Sequence, residues 1–179
     1  MVRLPGLPRP GESSTKDLLS FGHAAIWRLV GDPYPDDPDS PVAMSSWGID
    51  PDPVDPQHER NGVGYDYRRH WARSAPNTTY YGLRVINNSG SDTSNYVATQ
   101  AEQYAEVQRA LRRPYNYAWW DKWRTDSFYC SQLVWRCWFN QGYDIDSGDF
   151  MGGVVEAATP EEIYLDNNTR YMYYWWSRY

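Results

Sequence analysis

Two residue types in this 179-residue chain can supply a nucleophile and its base: cysteine, at Cys130 and Cys137, and histidine, at His23, His58 and His70. A thiol attacks carbonyl carbon only as thiolate, so it needs a base nearby and a group that holds the base. The stretch Phe128-Tyr129-Cys130-Ser131-Gln132-Leu133-Val134-Trp135 reads as the start of a helix, with N-cap oxygens at Thr125, Asp126 and Ser127 and a stop at Gly142. Cys130, Leu133, Val134, Cys137 and Trp138 recur at helical spacing, which buries one face. Cys130 falls in the first turn, where unpaired backbone N–H groups and the helix dipole favour a thiolate. The stretch reads equally well as a helix whose small core residue is a cysteine.

His23 opens a run of strand character, and the small Ala24 and Ala25 leave room beside an imidazole. His58 and His70 lie in a polar, Arg-rich stretch where a solvated histidine is expected. His23 is therefore the better base, although a lone histidine at a strand end is more often structural. The two cysteines are seven residues apart on one helix, which separates their Cα atoms by about 10 Å. A disulfide needs roughly 4.4–6.8 Å, so they do not pair, and the chain is no disulfide scaffold. No zinc-ligand spacing is present, and the acidic stretches Asp32, Asp36, Asp37, Asp39 and Asp50, Asp52, Asp55 lack the Gly and closing Glu of a calcium loop. Neither a metal nor a cofactor is expected.

The elements that must position these groups follow from patterning. Residues 1–16, rich in Pro, Gly and Ser, read as an extended leader before a single domain at 17–179. Leu18, Leu19, Phe21 and the run His23 to Val30 read as a buried strand opening at Gly22-His23, and Pro41 to Trp47 as its return. Residues 48–77 show little periodicity and read as a long connection. Thr78 to Ile86 is a strand, and Asn87 to Ser94 a turn that caps the next helix. Tyr96 to Leu111 is helical, with Val97, Ala101, Tyr104, Gln108 and Leu111 in register and Pro114 ending it. Thr159-Pro160-Glu161-Glu162 is a helix start, and Thr169 to Trp176 an aromatic, strand-like tail. Strands followed by helices describe an α+β fold with antiparallel pairing.

Bulk properties exclude several classes. A net charge of −6 argues against non-specific nucleic-acid binding and against a polybasic membrane patch. There is no apolar run of about eighteen residues, so no transmembrane segment is expected. No basic n-region precedes an apolar h-region, so no signal peptide is expected either. Aromatic residues make up 17%, with 10 Trp and 16 Tyr, enough for a ring-rich core and a ring-lined cleft together.

Four patches resemble the NlpC-type cell-wall peptidases, which are papain-like. Gly22-His23-Ala24-Ala25-Ile26-Trp27 resembles their "GHxGI" strand, and Tyr129-Cys130-Ser131-Gln132-Leu133-Val134 resembles their nucleophile motif "DCSGLV". Pro114-Tyr115-Asn116-Tyr117 is similar to "PYxW", and Thr159-Pro160-Glu161-Glu162-Ile163 to a closing "TPxDI" turn. The histidine precedes the cysteine, which is the order of the circularly permuted, YiiX/YaeF-like branch, where "YCSELV" is a familiar form. The resemblance implies a permuted papain-like fold: an antiparallel sheet packed on helices, with the His strand before the Cys helix.

Carried over residue by residue, the resemblance makes Cys130 the nucleophile, His23 the general base and Tyr115 an oxyanion donor. Ser131, Tyr129 and Trp47 fall on the substrate side. The branch usually places a Glu on the strand after the His strand, in a pattern like "IEAWP". Here Met44-Ser45-Ser46-Trp47 puts Ser45 there, with Ser46, Asp50 or His58 as alternatives. The "GD" that opens the family domain is matched only by Gly11-Glu12 or Lys16-Asp17. The implied activity is a cysteine hydrolase cleaving amide bonds of peptidoglycan stem peptides without a cofactor. Arg68, Arg69, Arg73, Arg109, Arg112 and Arg113 are available to a stem carboxylate. A secreted antibacterial effector, acting in the periplasm or cell wall and paired with an immunity protein, fits that reading. The alternatives are a lipid or acyl amidase, thioesterase or acyltransferase, and a cell-wall-binding module whose site is weakened by Ser45.

Overall fold

Ala25 alone separates two short strands, β2 (His23–Ala24) and β3 (Ile26–Trp27), and at that residue the chain passes from one sheet to another. The computed structural model describes residues 2–4, 23–28, 41–51, 59–67, 79–146 and 156–176. Strand β2 pairs with β1 (Val2–Leu4), which pairs in turn with β6 (Thr79–Val85), and β6 with β7 (Thr169–Trp176). Strand β3 pairs with β4 (Pro41–Pro51), and β4 with β5 (Glu59–Tyr67). All of these pairings are antiparallel. His23 lies opposite Arg3 in the four-stranded sheet, and Ile26 opposite Met44 in the three-stranded one.

Three helices follow the strands: α1 (Asn95–Ala110), α2 (Cys130–Phe139) and α3 (Pro160–Leu165). Helix α2 is buried on two sides. Val134 and Trp135 join Ala24, Tyr81, Val85 and Ile163 in one core cluster. Leu133 and Cys137 join Ile26, Met44, Val63, Ala101 and Ala105 in the other. The His23 strand feeds the same two cores, through Ala24 on one side and Ile26 on the other. Each large apolar side chain so buried contributes about 1.5–3 kcal/mol. The Cys130 helix and the His23 strand are thus fixed by shared packing before any polar contact is made.

The result is an α+β fold of antiparallel sheets packed on helices. Several local expectations are modified. Val2–Leu4, read as part of a leader, is an inner strand of the four-stranded sheet; the rest of residues 1–16 lies outside the described residues. So do Gly22, His58, His70, the Arg68–Arg73 stretch and the acidic run 32–39. Part of the supposed connection 48–77 is strand β5, paired with β4 along most of its length. In α1 the buried stripe is Ala98, Ala101, Ala105 and Gln108, while Leu111 lies beyond the helix and exposed. The alanines let α1 approach α2 closely, which outweighs the larger side chains on the other flank.

The start of α2 also differs. Thr125, Asp126 and Ser127 do not cap it. Phe128 donates its N–H to the Pro114 carbonyl and accepts from the Asn116 N–H, so the chain stays extended up to Tyr129, the N-cap. The Gln132 side chain takes over the capping by accepting the Tyr129 N–H at 3.1 Å. Gly142, at φ 85°, turns the chain after the helix. Helix α3 starts as its sequence indicates: Thr159 Oγ1 accepts the Glu162 N–H, and the Glu162 carboxylate accepts the Thr159 N–H.

Candidate active site

Cys130 is the first residue of α2, and it is half-buried. The His23 imidazole and the backbone N–H groups of Ala24 and Ser131 act on its sulfur. Burial opposes the thiolate. The His23 charge, the His23 hydrogen bond and the two N–H groups outweigh it, so the thiol titrates below its ordinary value. Cys137, two turns further along the helix and sealed in the core, is pushed the other way by burial.

His23 sits between two acidic groups. On one side is the Cys130 sulfur. On the other, Nε2 lies 3.7 Å from Oδ2 of Asp66, a residue on β5 that is 0% exposed. Burial alone would lower the His23 pKa. The Cys130 charge first, and then the close polar groups and charge of Asp66, reverse that and raise it to about 8. Asp66 shows the mirror behaviour: burial favours its neutral form, but His23, then Ser45 and Trp47, hold its carboxyl below the usual range. The arrangement is a row of three titratable groups, Cys130, His23 and Asp66, in which His23 lowers the pKa of both neighbours and both neighbours raise that of His23.

Strand register explains how Asp66 arrives there. Ala43 is opposite Asp66 and Ser45 opposite Gly64, so Ser45 and Asp66 are diagonal neighbours on one face of the sheet. The sequence reading placed the third polar group at Ser45, on β4. The structure brings the carboxylate from β5 instead, with buried Ser45 beside it. Ser46 serves elsewhere, donating from Oγ to the Phe128 carbonyl at 2.5 Å. The alternation of Val63, Tyr65 and Tyr67 with Gly64 and Asp66 was the signal for β5.

Trp47 was expected on the substrate side. Its ring packs on His23, with centroids 4.1 Å apart and planes tilted by 30°, and its indole Nε1–H donates to Asp66 Oδ1 at 2.7 Å. It touches the base and the base's partner at once.

In front of Cys130 is a groove of about 190 Å³. Tyr129, Cys130 and Ser131 form one wall and Ala157, Ala158, Thr159 and Pro160 another, with Tyr115 and Trp119 completing the lining. Tyr115, Tyr129 and Ser131 are therefore gathered at Cys130; Trp119 and the 157–160 segment were not among the expected site residues. Burial, and then the nearby Cys130 charge, push the Tyr115 hydroxyl up to about 12, so it is a proton donor at neutral pH. The Tyr129 hydroxyl accepts the Ala158 N–H at 2.9 Å and so ties the two walls together. Buried Gln132 holds the Tyr115–Trp119 side: its carbonyl accepts from Asn116 Nδ2, and its amide donates to the carbonyls of Lys122 and Arg124.

Arg109, one candidate for a substrate carboxylate, is engaged by Glu106 at 2.8 Å and lies over the Tyr65 ring. Among the described residues no group of three or more His, Cys, Asp or Glu is placed to hold a metal ion, and no helix is long and apolar enough to cross a membrane. A scan against protein-family models finds no match, and searches of curated proteins and of solved structures find none.

Proposed function

We propose that this chain is a cysteine hydrolase of the circularly permuted, papain-like NlpC type, which cuts amide bonds in peptidoglycan stem peptides. The observation that carries the reading is the row Cys130, His23 and Asp66, opening on a groove. The Cys130 thiolate attacks the amide carbonyl. The Tyr115 hydroxyl and the Cys130 backbone N–H are the available donors to the oxyanion. The His23 imidazolium gives its proton to the leaving amine, which departs and leaves a thioester on Cys130. Water, deprotonated by neutral His23, attacks the thioester; the acid leaves and the thiolate–imidazolium pair returns. The four sequence patches support the substrate class. Within that class, an antibacterial effector acting in the periplasm or cell wall, held in check by an immunity protein, remains the proposed setting.

A second reading is supported by the groove itself. Its described lining is aromatic, aliphatic and hydroxyl-bearing, which suits an uncharged acyl group and hence an acyl amidase or thioesterase. Against the third reading, a binding module with a weakened site, stands the Asp66 carboxylate beside His23, where Ser45 alone was expected. Incubation with purified sacculi and with acyl-ester substrates, each beside Cys130→Ala, separates the three. Soluble stem fragments released by the wild type alone support the proposal. Acyl release without stem fragments replaces it with the second reading, and binding without turnover replaces it with the third.

A further inference from the structure

A groove of about 190 Å³ is small beside the roughly 300–1,000 Å³ that encloses a drug-sized ligand. It takes the atoms around the scissile bond, and the rest of any larger substrate must continue over the rim. On the Trp119 side that rim is aromatic. Trp119 lines the groove and is 39% exposed; Trp120 beside it is 56% exposed and Tyr117 59%. The Trp119 and Trp120 rings meet edge to face, 5.7 Å apart at 80°, which makes an open corner.

The corner is built rather than loose. Asn116 Oδ1 accepts the Ala118 N–H, Asp121 donates to the Ala118 carbonyl, and Lys122 donates to the Glu156 carbonyl. Asn116 is itself anchored on Gln132. Exposed rings held in place before a ligand arrives lose little freedom on binding. Arg124 and Lys122 are both engaged by carboxylates, which outnumber them three to two: Arg124 lies 3.8 Å from Asp121 and 3.9 Å from Asp126, and Lys122 pairs with Asp146 at 2.6 Å. Such a rim offers an anionic headgroup no surplus of positive charge. It suits a neutral ligand with one apolar C–H face and hydroxyl edges, because the C–H groups carry the slight positive charge that the ring face attracts.

From this we infer that the Trp119–Trp120 corner is a sugar subsite, which holds a glycan residue still attached to the peptide being cut. The inference rests on the amide-hydrolase reading and narrows its substrate to a sugar-bearing peptide.

The test uses a muropeptide and the same peptide stripped of its sugars, with wild type and Trp120→Ala. Trp120 is exposed, so the variant is expected to fold. The ratio of kcat/KM on the sugar-bearing peptide to that on the bare peptide should fall about tenfold in Trp120→Ala, through KM. An unchanged ratio overturns the subsite. In parallel, an N-acetylglucosamine oligosaccharide is titrated into Cys130→Ala and into the Cys130→Ala, Trp120→Ala double variant, followed by tryptophan fluorescence. Saturable binding weakened by the second substitution supports the subsite even if neither peptide is cleaved, in which case only the hydrolase reading fails. Absence of binding in Cys130→Ala, or binding to neutral lipid vesicles instead, overturns it.

Discussion

His23 and Asp66 belong to different sheets, on β2 and β5, yet Nε2 of one lies 3.7 Å from Oδ2 of the other. The two strands never pair. They meet because the His23 strand passes from one sheet to the other at Ala25, and because β5 brings Asp66 in from the outer edge of the second sheet.

Asp66→Asn should keep the shape and remove the charge. The imidazolium then loses one of its two anions, so the His23 pKa falls from about 8. The thiolate loses support in turn, and the acid limb of Cys130 alkylation moves to higher pH. We expect kcat/KM to fall by roughly 10²-fold. An Asn variant with wild-type rate and an unmoved alkylation profile would sink the role of Asp66.

The proposed mechanism needs the thiolate and the protonated imidazole together. It should rise above the lowered pKa of Cys130 and decline as pH passes about 8, where His23 gives up its proton. In Cys130→Ala the strongest raising influence on His23 is gone, so an NMR titration of its ring protons should report a lower pKa than in the wild type. An equal or higher value would show that the sulfur does not carry charge there.

Trp47 acts on both partners of this pair. Trp47→Phe retains a ring over His23 but removes the donor to Asp66 Oδ1. A hydrogen bond to a charged group is worth about 1.5–3 kcal/mol, so we expect kcat to drop roughly tenfold or more with KM little changed. The acid limb of alkylation should shift as well. A loss of thermal stability with an unmoved pH profile would mean that Trp47 only fills space.

Gly62 has φ 91°, and a Cβ there would lie 2.0 Å from the Arg113 carbonyl oxygen and 2.7 Å from the Pro114 Cα. Gly62→Ala should cost about 1–3 kcal/mol and displace the segment that leads into Tyr115. Gly64→Ala is the control, since nothing lies within 4 Å of its Cβ and its φ is not positive. Thermal melts of the two variants should separate clearly; equal melting temperatures would refute the close approach.

The two thiols should differ in reactivity. A thiol-directed probe at neutral pH is expected to label Cys130 and leave Cys137, which is sealed between α1 and the sheet with its thiol pKa raised by burial. Equal labelling in the folded protein would contradict both the burial and the thiolate.

Local pattern in the chain was enough to place the parts of the site that sit at element starts. The helical spacing after Cys130, the small residues after His23, and the Thr159-Pro160-Glu162 cap each depend on neighbours within a turn or two, where backbone sterics and capping act. Asp66 could not be read that way. Its role depends on the β4–β5 register and on a strand that changes sheets at Ala25. Those are contacts between residues far apart in sequence, decided by which surfaces pack against both sides of α2. The residue types therefore singled out Cys130 and His23, and only tertiary packing chose which of the many carboxylates would face that histidine.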